Sequence, residues 1–382
     1  MKRFVCFVLL SALLLSGGVR AQALEPLGDD ALPIAAPAAI LMEKSTGTVL
    51  YEKNAEERLP PASVTKVMTL LLLMEDIDAG RLSVEDTVTA SERAASFGGS
   101  CVYLEPGEKM SVHEMLKCIA VASANDCAVA MAEHVCGTEA VFVERMNRRA
   151  AELGLKNTHF TNCTGLFEDA EHYTSARDIA IMSRELLLHP LIKEYTTIWM
   201  DSIRGGSFEL ANTNKLVHWY EGCTGLKTGY TAAAKYCLSA SAERNGVEFI
   251  AVVLHGETSE SRNADATSLL NYAFANFSLA SLRPEGALPG LPVELGAQER
   301  VSLRCEGEEH MLLPKGSGEL SYALELPGSV ASPVEEGQRL GTLRVHLGEE
   351  LLAELPLTAA ETVPRLGFWS ILGKLAGSLV GL

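Results

Sequence analysis

One stretch constrains this chain more than any other: Pro60-Pro61-Ala62-Ser63-Val64-Thr65-Lys66, followed by Val67-Met68-Thr69-Leu70-Leu71-Leu72-Leu73-Met74. Two prolines preset the start of a helix, and Ser63 and Lys66, three residues apart, then share a face where their side-chain tips can meet. The run behind them is apolar at nearly every position, which predicts a helix buried on all sides with the core built around it. A lysine at the start of such a helix is poorly solvated, and burial favours its neutral, proton-accepting form. The pair reads as a nucleophile beside a base. Taken alone, S-x-x-K also fits a capping serine with a lysine reaching solvent, so the remaining chain has to decide.

The chain has 382 residues, enough for two domains. A net charge of −17 with no basic run excludes nucleic acid as a partner, since a phosphate backbone would be repelled. Residues 1–23 read as an export signal: a basic Met1-Lys2-Arg3, an apolar Phe4 to Leu15, and Ala21-Gln22-Ala23 as the cleavage pattern. Cys6 lies inside the apolar run, so the lipoprotein arrangement is not met. Cys118, Cys127 and Cys136 are spaced nine apart, which alternates helix faces, and neither C-x-x-C nor H-E-x-x-H occurs. Free, mostly buried thiols are expected, with no metal and no cofactor.

Along the mature chain, Ala38 to Glu43 and Thr48 to Glu52 predict a hairpin that leads into the Ser63 helix. Helical patterns follow at Ser111 to Ala122, Ala128 to Val135 and Phe142 to Leu153, then a polar loop from Asn157 to Tyr173. Ser175 and Asp178 form a candidate capping box for a helix through Leu188. Two strand-like runs flank Asn245-Gly246, a hairpin signal, and a helix over Ser259 to Phe277 closes the unit. The expected class is α+β, with helices flanking an antiparallel sheet that joins distant parts of the chain, over residues 30–278. Beyond the Pro284 to Pro292 linker, alternating strands (Val301 to Leu303, Tyr322 to Leu326, Leu343 to Leu347, Leu351 to Leu357) predict a small β-sandwich over 285–363. Residues 364–382 predict an amphipathic helix. Phe368, Ile371, Leu372, Leu375, Leu379 and Leu382 share one face, and with Trp369 that suits the plane of a membrane surface.

Three motifs occur in order: Ser63-Val64-Thr65-Lys66, Ser123-Ala124-Asn125 and Lys227-Thr228-Gly229. Each alone is weak; their order and contexts match the serine acyl-transfer set of β-lactamases and penicillin-binding proteins. With Asn212-Thr213-Asn214, Gly165-Leu166 and Gly225-Leu226-Lys227-Thr228-Gly229-Tyr230-Thr231, the chain resembles the D-alanyl-D-alanine carboxypeptidases, serine-type penicillin-binding proteins of low molecular mass, from about Ala38 to Phe277. The export signal, the small β domain and the amphipathic end also fit that architecture. The resemblance implies a β-lactamase/transpeptidase-like fold and an exported enzyme at the outer face of the bacterial cytoplasmic membrane, peripherally anchored by its C-terminus. It would take peptidoglycan stem peptides ending in D-Ala-D-Ala as substrate and β-lactams as covalent inhibitors.

It further implies that Ser63 attacks the carbonyl between two D-alanines while Lys66 takes the proton. Ser123 would relay that proton to the departing amine, and Asn125 would orient Lys66 and bond the substrate peptide. Lys227 would repel Lys66, keeping it neutral, and attract the terminal carboxylate. Thr228 and Arg262 would hold that carboxylate directly, with Gly229 and Tyr230 on the same strand; the N–H groups of Ser63 and Tyr230 would receive the oxyanion. His172 could touch substrate but reads as structural. A class A β-lactamase would show S-D-N and a glutamate loop; Glu168, Asp169 and Glu171 sit in no E-x-x-L-N pattern. A D,D-endopeptidase acting on cross-linked peptides would use the same residues.

Overall fold

The computed structural model describes residues 24–28, 31–166, 169–370 and 372. They form two compact units, Leu24–Leu279 and the segment from Ala280 onward. The proposed export signal and residues 373–382 lie outside the described residues.

In the first unit, Ala38–Glu43 (β1) and Val49–Lys53 (β2) pair as an antiparallel hairpin. Late in the unit, Cys223–Thr231 (β3), Lys235–Arg244 (β4) and Val247–Gly256 (β5) form an antiparallel meander. Asn245 and Gly246 join β4 to β5 with φ of 51° and 77°, the double positive φ that a two-residue hairpin turn demands. β5 pairs with β1, Ile40 opposite Val252, so the sheet runs β2-β1-β5-β4-β3 and joins both ends of the unit. Every residue of β1 is buried, which explains why this strand reads as a continuous apolar run and not as an alternation. β3 is left as an edge.

The helices supply the other layer. Lys66–Asp78 (α1) is buried at every position from Lys66 to Met74, as its composition requires. Around it stand Val112–Val121 (α2), Asn125–Cys136 (α3), Glu139–Glu152 (α4) and Ala176–Leu186 (α5). Ser111, Thr138 and Ser175 cap α2, α4 and α5 by accepting from backbone N–H groups of the first turn. The Ser175–Asp178 box is only half made: the Asp178 carboxylate instead accepts from Asn157 N–H and Thr158 Oγ1, tying down the polar loop. Ser259–Asn276 (α6) opens with a reciprocal Thr258–Ser261 box and packs Phe274 edge-on against Phe249 of β5, ring centroids 5.0 Å apart.

The second unit is all-β. A four-stranded antiparallel sheet orders Leu303–Cys305, Glu350–Ala359, Arg339–Leu347 and Leu320–Glu325 around Leu343, Val345, Leu355 and Leu357. A three-stranded sheet sets Leu291–Glu294 between Arg300–Val301 and, in parallel, Val330–Ala331. The single strand expected over Val301 to Leu303 is therefore two, split at Ser302 between the sheets. The helix expected from Pro364 starts instead at Phe368. The cause is local: Pro364 C=O accepts from Ala297 N–H and Leu366 N–H donates to Leu295 C=O, so the chain is held extended to Leu366. Phe368 and Trp369 then emerge 70% and 79% exposed, and no helix among the described residues is long and apolar enough to cross a membrane.

Candidate active site

Ser63 does not sit on α1. Ala62–Thr65 forms a 3-10 turn, and the α-helix begins at Lys66. Ala62 adopts φ 48°, a left-handed value that a non-glycine residue holds only when its surroundings over-determine it. Those surroundings are visible. Thr65 Oγ1 donates to Ala62 C=O (2.8 Å) and bonds His172 Nε2 (2.8 Å), while His172 Nδ1 accepts from Thr161 N–H (3.0 Å). That bond to Nδ1 leaves the proton on Nε2, so His172 donates to Thr65, and burial holds the ring neutral with a pKa lowered to about 4. His172 is a brace between the 157–173 loop and the nucleophile turn.

Lys66 is fully buried, and its Nζ has three partners: Asn125 Oδ1 (2.6 Å), Thr164 C=O (2.9 Å) and Ser63 Oγ (3.0 Å). Asn125 Nδ2 donates to Gly98 C=O (2.8 Å), which fixes the amide with its oxygen toward the lysine. Two of the three partners are carbonyl oxygens that can only accept. In the neutral amine both N–H bonds are then spent on them, and the lone pair is directed at the Ser63 hydroxyl. Burial lowers the Lys66 pKa to about 7, while Cys163, Cys101 and Asp126 pull it upward. The backbone places Ser123 similarly to Ala62, at φ 62° in the turn between α2 and α3. The residue as a whole is 3% exposed. The thiols also lie as expected: Cys118, Cys127 and Cys163 are free and buried.

The third segment is brought in by close backbone approach. At Gly229 a Cβ would lie 2.7 Å from Pro61 O and 3.0 Å from the backbone nitrogens of Ser63 and Val64, so only glycine lets β3 press against the turn. The Tyr230 ring, on the next residue of β3, points out, 58% exposed, against Tyr236. Lys227 is buried, and among the described residues its Nζ donates only to its neighbour Thr228 C=O (2.9 Å). Burial first, then repulsion from Lys66 and Arg262, lowers its pKa well below the usual lysine range. The expected repulsion between the two lysines therefore weighs on Lys227; Lys66 owes its neutrality to burial.

Arg262, at the start of α6, is 5% exposed and spends its guanidinium on Asn263 Oδ1 and the Cys237 C=O. No carboxylate pairs with Arg262 or Lys227 among the described residues. A buried arginine and a buried lysine without a counter-ion suit an anion, because an anion restores the solvation that burial removed and favours the charged form of the lysine. Thr228 Oγ1 lies on the same strand and donates to Thr213 Oγ1 (2.7 Å).

Residue types alone gave no sign of the Thr164 carbonyl or the His172–Thr65 brace. Gly165 carried the available signal: at φ 73° its Cβ would fall 1.8 Å from Ala62 O, so the loop bearing Thr164 can touch the nucleophile turn only through a glycine. Glu168 lies outside the described residues, and Asp169 and Glu171 are exposed.

A serine hydroxyl in contact with a buried amine, beside a buried lysine and arginine that no carboxylate pairs among the described residues, fits a serine acyl-transfer centre of the penicillin-binding class. Residues 25–258 match the family described as D-alanyl-D-alanine carboxypeptidase, and residues 280–365 match the penicillin-binding protein 5 C-terminal domain. The chain belongs to this family of serine-type carboxypeptidases, the low-molecular-mass penicillin-binding proteins. It is 44% identical over 348 residues to D-alanyl-D-alanine carboxypeptidase DacF of Bacillus subtilis, covering 90% of this chain and 89% of that one. It is similar to the crystal structure of penicillin-binding protein 5 from Haemophilus influenzae, with a TM-score of 0.72 and 30% identity over 87% of this chain and 98% of that one. Ampicillin-bound penicillin-binding protein D2 from Listeria monocytogenes gives a TM-score of 0.59 and 31% identity, over 64% and 100% of the two chains.

Proposed function

We propose that the D-Ala-D-Ala carboxypeptidase reaction runs in this chain through an acyl-enzyme on Ser63. Neutral Lys66 takes the Ser63 proton as Oγ attacks the carbonyl between the two D-alanines. The N–H groups of Ser63 and Tyr230 receive the oxyanion. Collapse expels D-alanine, protonated by way of Ser123, and water completes the cycle. The substrate carboxylate meets Lys227, Thr228 and Arg262, and its arrival restores the charge on Lys227 that burial opposes. Asn125 holds Lys66 and offers its remaining N–H to the substrate. The observation that carries this reading is the Lys66 nitrogen, held by two carbonyl-type acceptors with its third contact on Ser63 Oγ.

In this reading residues 30–278 are the catalytic domain and 285–363 a spacer domain. Residues 1–23 export the chain to the cell envelope, and 364–382 anchor it at the membrane surface. The ampicillin-bound relative supports β-lactams as covalent inhibitors here. Incubation with a peptide ending in D-Ala-D-Ala, with released D-alanine measured, tests the reaction. Steady release that Ser63→Ala abolishes is expected; cleavage of cross-linked dimers alone would make the chain an endopeptidase.

A further inference from the structure

The Thr164 carbonyl is one of the two acceptors that turn the Lys66 lone pair toward Ser63, and three consecutive peptide groups of its loop are pinned. Cys163 N–H donates to Glu139 Oε1 (3.2 Å) on α4, and Cys163 C=O accepts from Thr69 Oγ1 (2.7 Å) on α1. Thr164 N–H and Gly165 N–H both donate to Asn162 Oδ1, at 3.1 Å and 2.6 Å, and Thr164 Oγ1 donates to the same oxygen (3.0 Å). Asn162 itself is buried. What it does for Lys66 rests on the reaction proposed above, in which that lysine is the base.

The Thr164 C=O and the Gly165 N–H are the two ends of one planar peptide group, so a side chain that fixes the N–H also fixes the direction of the C=O. Asn162 Oδ1 takes that N–H while Lys66 Nζ takes the carbonyl at 2.9 Å. The two bonds reinforce one another, because an N–H that donates polarises the carbonyl of its own peptide. Residue 165 cannot supply the hold itself, since a Cβ there would strike Ala62 O. Three donors on one oxygen call for a carbonyl-type side-chain acceptor, and they leave Nδ2 on the other side of the amide, 3.4 Å from His172 Nδ1. One side chain thus touches both the brace of the nucleophile turn and the peptide that holds the base. The titratable groups acting on Lys66 are the Cys163 and Cys101 thiols, Asp126 of α3 and, from β3, Lys227. Glu139, behind Cys163, is paired with Arg93. Asn162 brings a dipole to these surroundings and no charge.

We propose that Asn162 is a positioning residue for the base: by holding the Thr164–Gly165 peptide it aims the Thr164 carbonyl at Lys66 and keeps the amine directed at Ser63. It touches neither substrate nor the reacting atoms.

The test follows the second-order rate of penicillin acylation of the full chain against pH, with circular dichroism to establish folding and D-alanine release from a D-Ala-D-Ala peptide as a second assay. Asn162→Ala removes the acceptor and should slow acylation by about tenfold or more, as a misdirected catalytic group does. Asn162→Asp keeps an oxygen for all three donors, so at pH values above the acid limb it should be acylated within about threefold of the parent. It also brings a carboxylate toward Lys66, which favours the charged amine, so the acid limb should move up by about one pH unit from its parent position at about pH 7. An asparagine that only stabilises the loop would leave that limb in place. A folded Asn162→Ala protein acylated at the parent's rate would overturn the proposal. Should that variant not fold, Asn162→Asp decides alone, and an acid limb that coincides with the parent's would overturn it. A parent that neither takes up penicillin nor releases D-alanine would overturn the reaction itself, and the positioning role with it.

Discussion

At the scale of residues, the account turns on one amine. Lys66 is useful because it is dry: burial brings its pKa to about 7, within reach of neutral pH, whereas a solvated lysine would stay charged to about 10.5. A base works only in its unprotonated form, so the sign is fixed: activity belongs above the Lys66 pKa and is lost below it. We expect kcat/KM for D-alanine release to rise about tenfold per pH unit up to about pH 7 and then level. A pH–rate profile that is flat from 5 to 9 would remove Lys66 from the role of base. Lys227 behaves differently. Burial, with repulsion from Lys66 and Arg262, lowers its affinity for a proton, and a bound carboxylate would oppose that shift, so the role proposed for this lysine is binding and not proton abstraction.

At the scale of elements, three segments from distant parts of the chain meet where backbones touch without intervening side chains. β3 reaches the turn at Gly229, and the loop carrying the Thr164 carbonyl reaches it at Gly165. Gly165→Ala should therefore displace the loop or the turn. We expect covalent penicillin labelling to fall by at least about tenfold, with a stability loss of roughly 1–3 kcal/mol from forcing a side chain into the left-handed region, measured by labelling rate and thermal melt. The same contacts explain how far the sequence could be read. Ser63, Lys66, Asn125 and Lys227 announce themselves through residue type, spacing and the unbroken apolar run after Lys66. The hairpins were legible because Asn-Gly and the buried runs act locally. The 3-10 form of the nucleophile turn was not, because it is imposed by Thr65, His172 and Thr161, which are brought together only by folding. Nor was the diversion of Asp178 from its cap to Asn157 and Thr158, a choice between two local partners that tertiary contact decides. Backbone carbonyls such as Thr164 O carry no residue type at all.

At the scale of the whole molecule, the residues proposed for catalysis all lie within Leu24–Leu279, while the unit from Ala280 onward contributes strands and an aromatic pair, Phe368 and Trp369, that stays in solvent. That division separates chemistry from placement. Deleting residues 367–382 should move the exported protein from the membrane to the soluble fraction while D-alanine release is unchanged; unchanged partitioning would refute the anchor. The central claim is that Ser63 carries the acyl group, and locating a penicillin adduct on the intact protein by mass spectrometry tests it most directly. The account predicts one adduct, confined to the peptide containing Ser63 and missing from folded Ser63→Ala protein. An adduct on another residue, or one that persists in that variant, would contradict it.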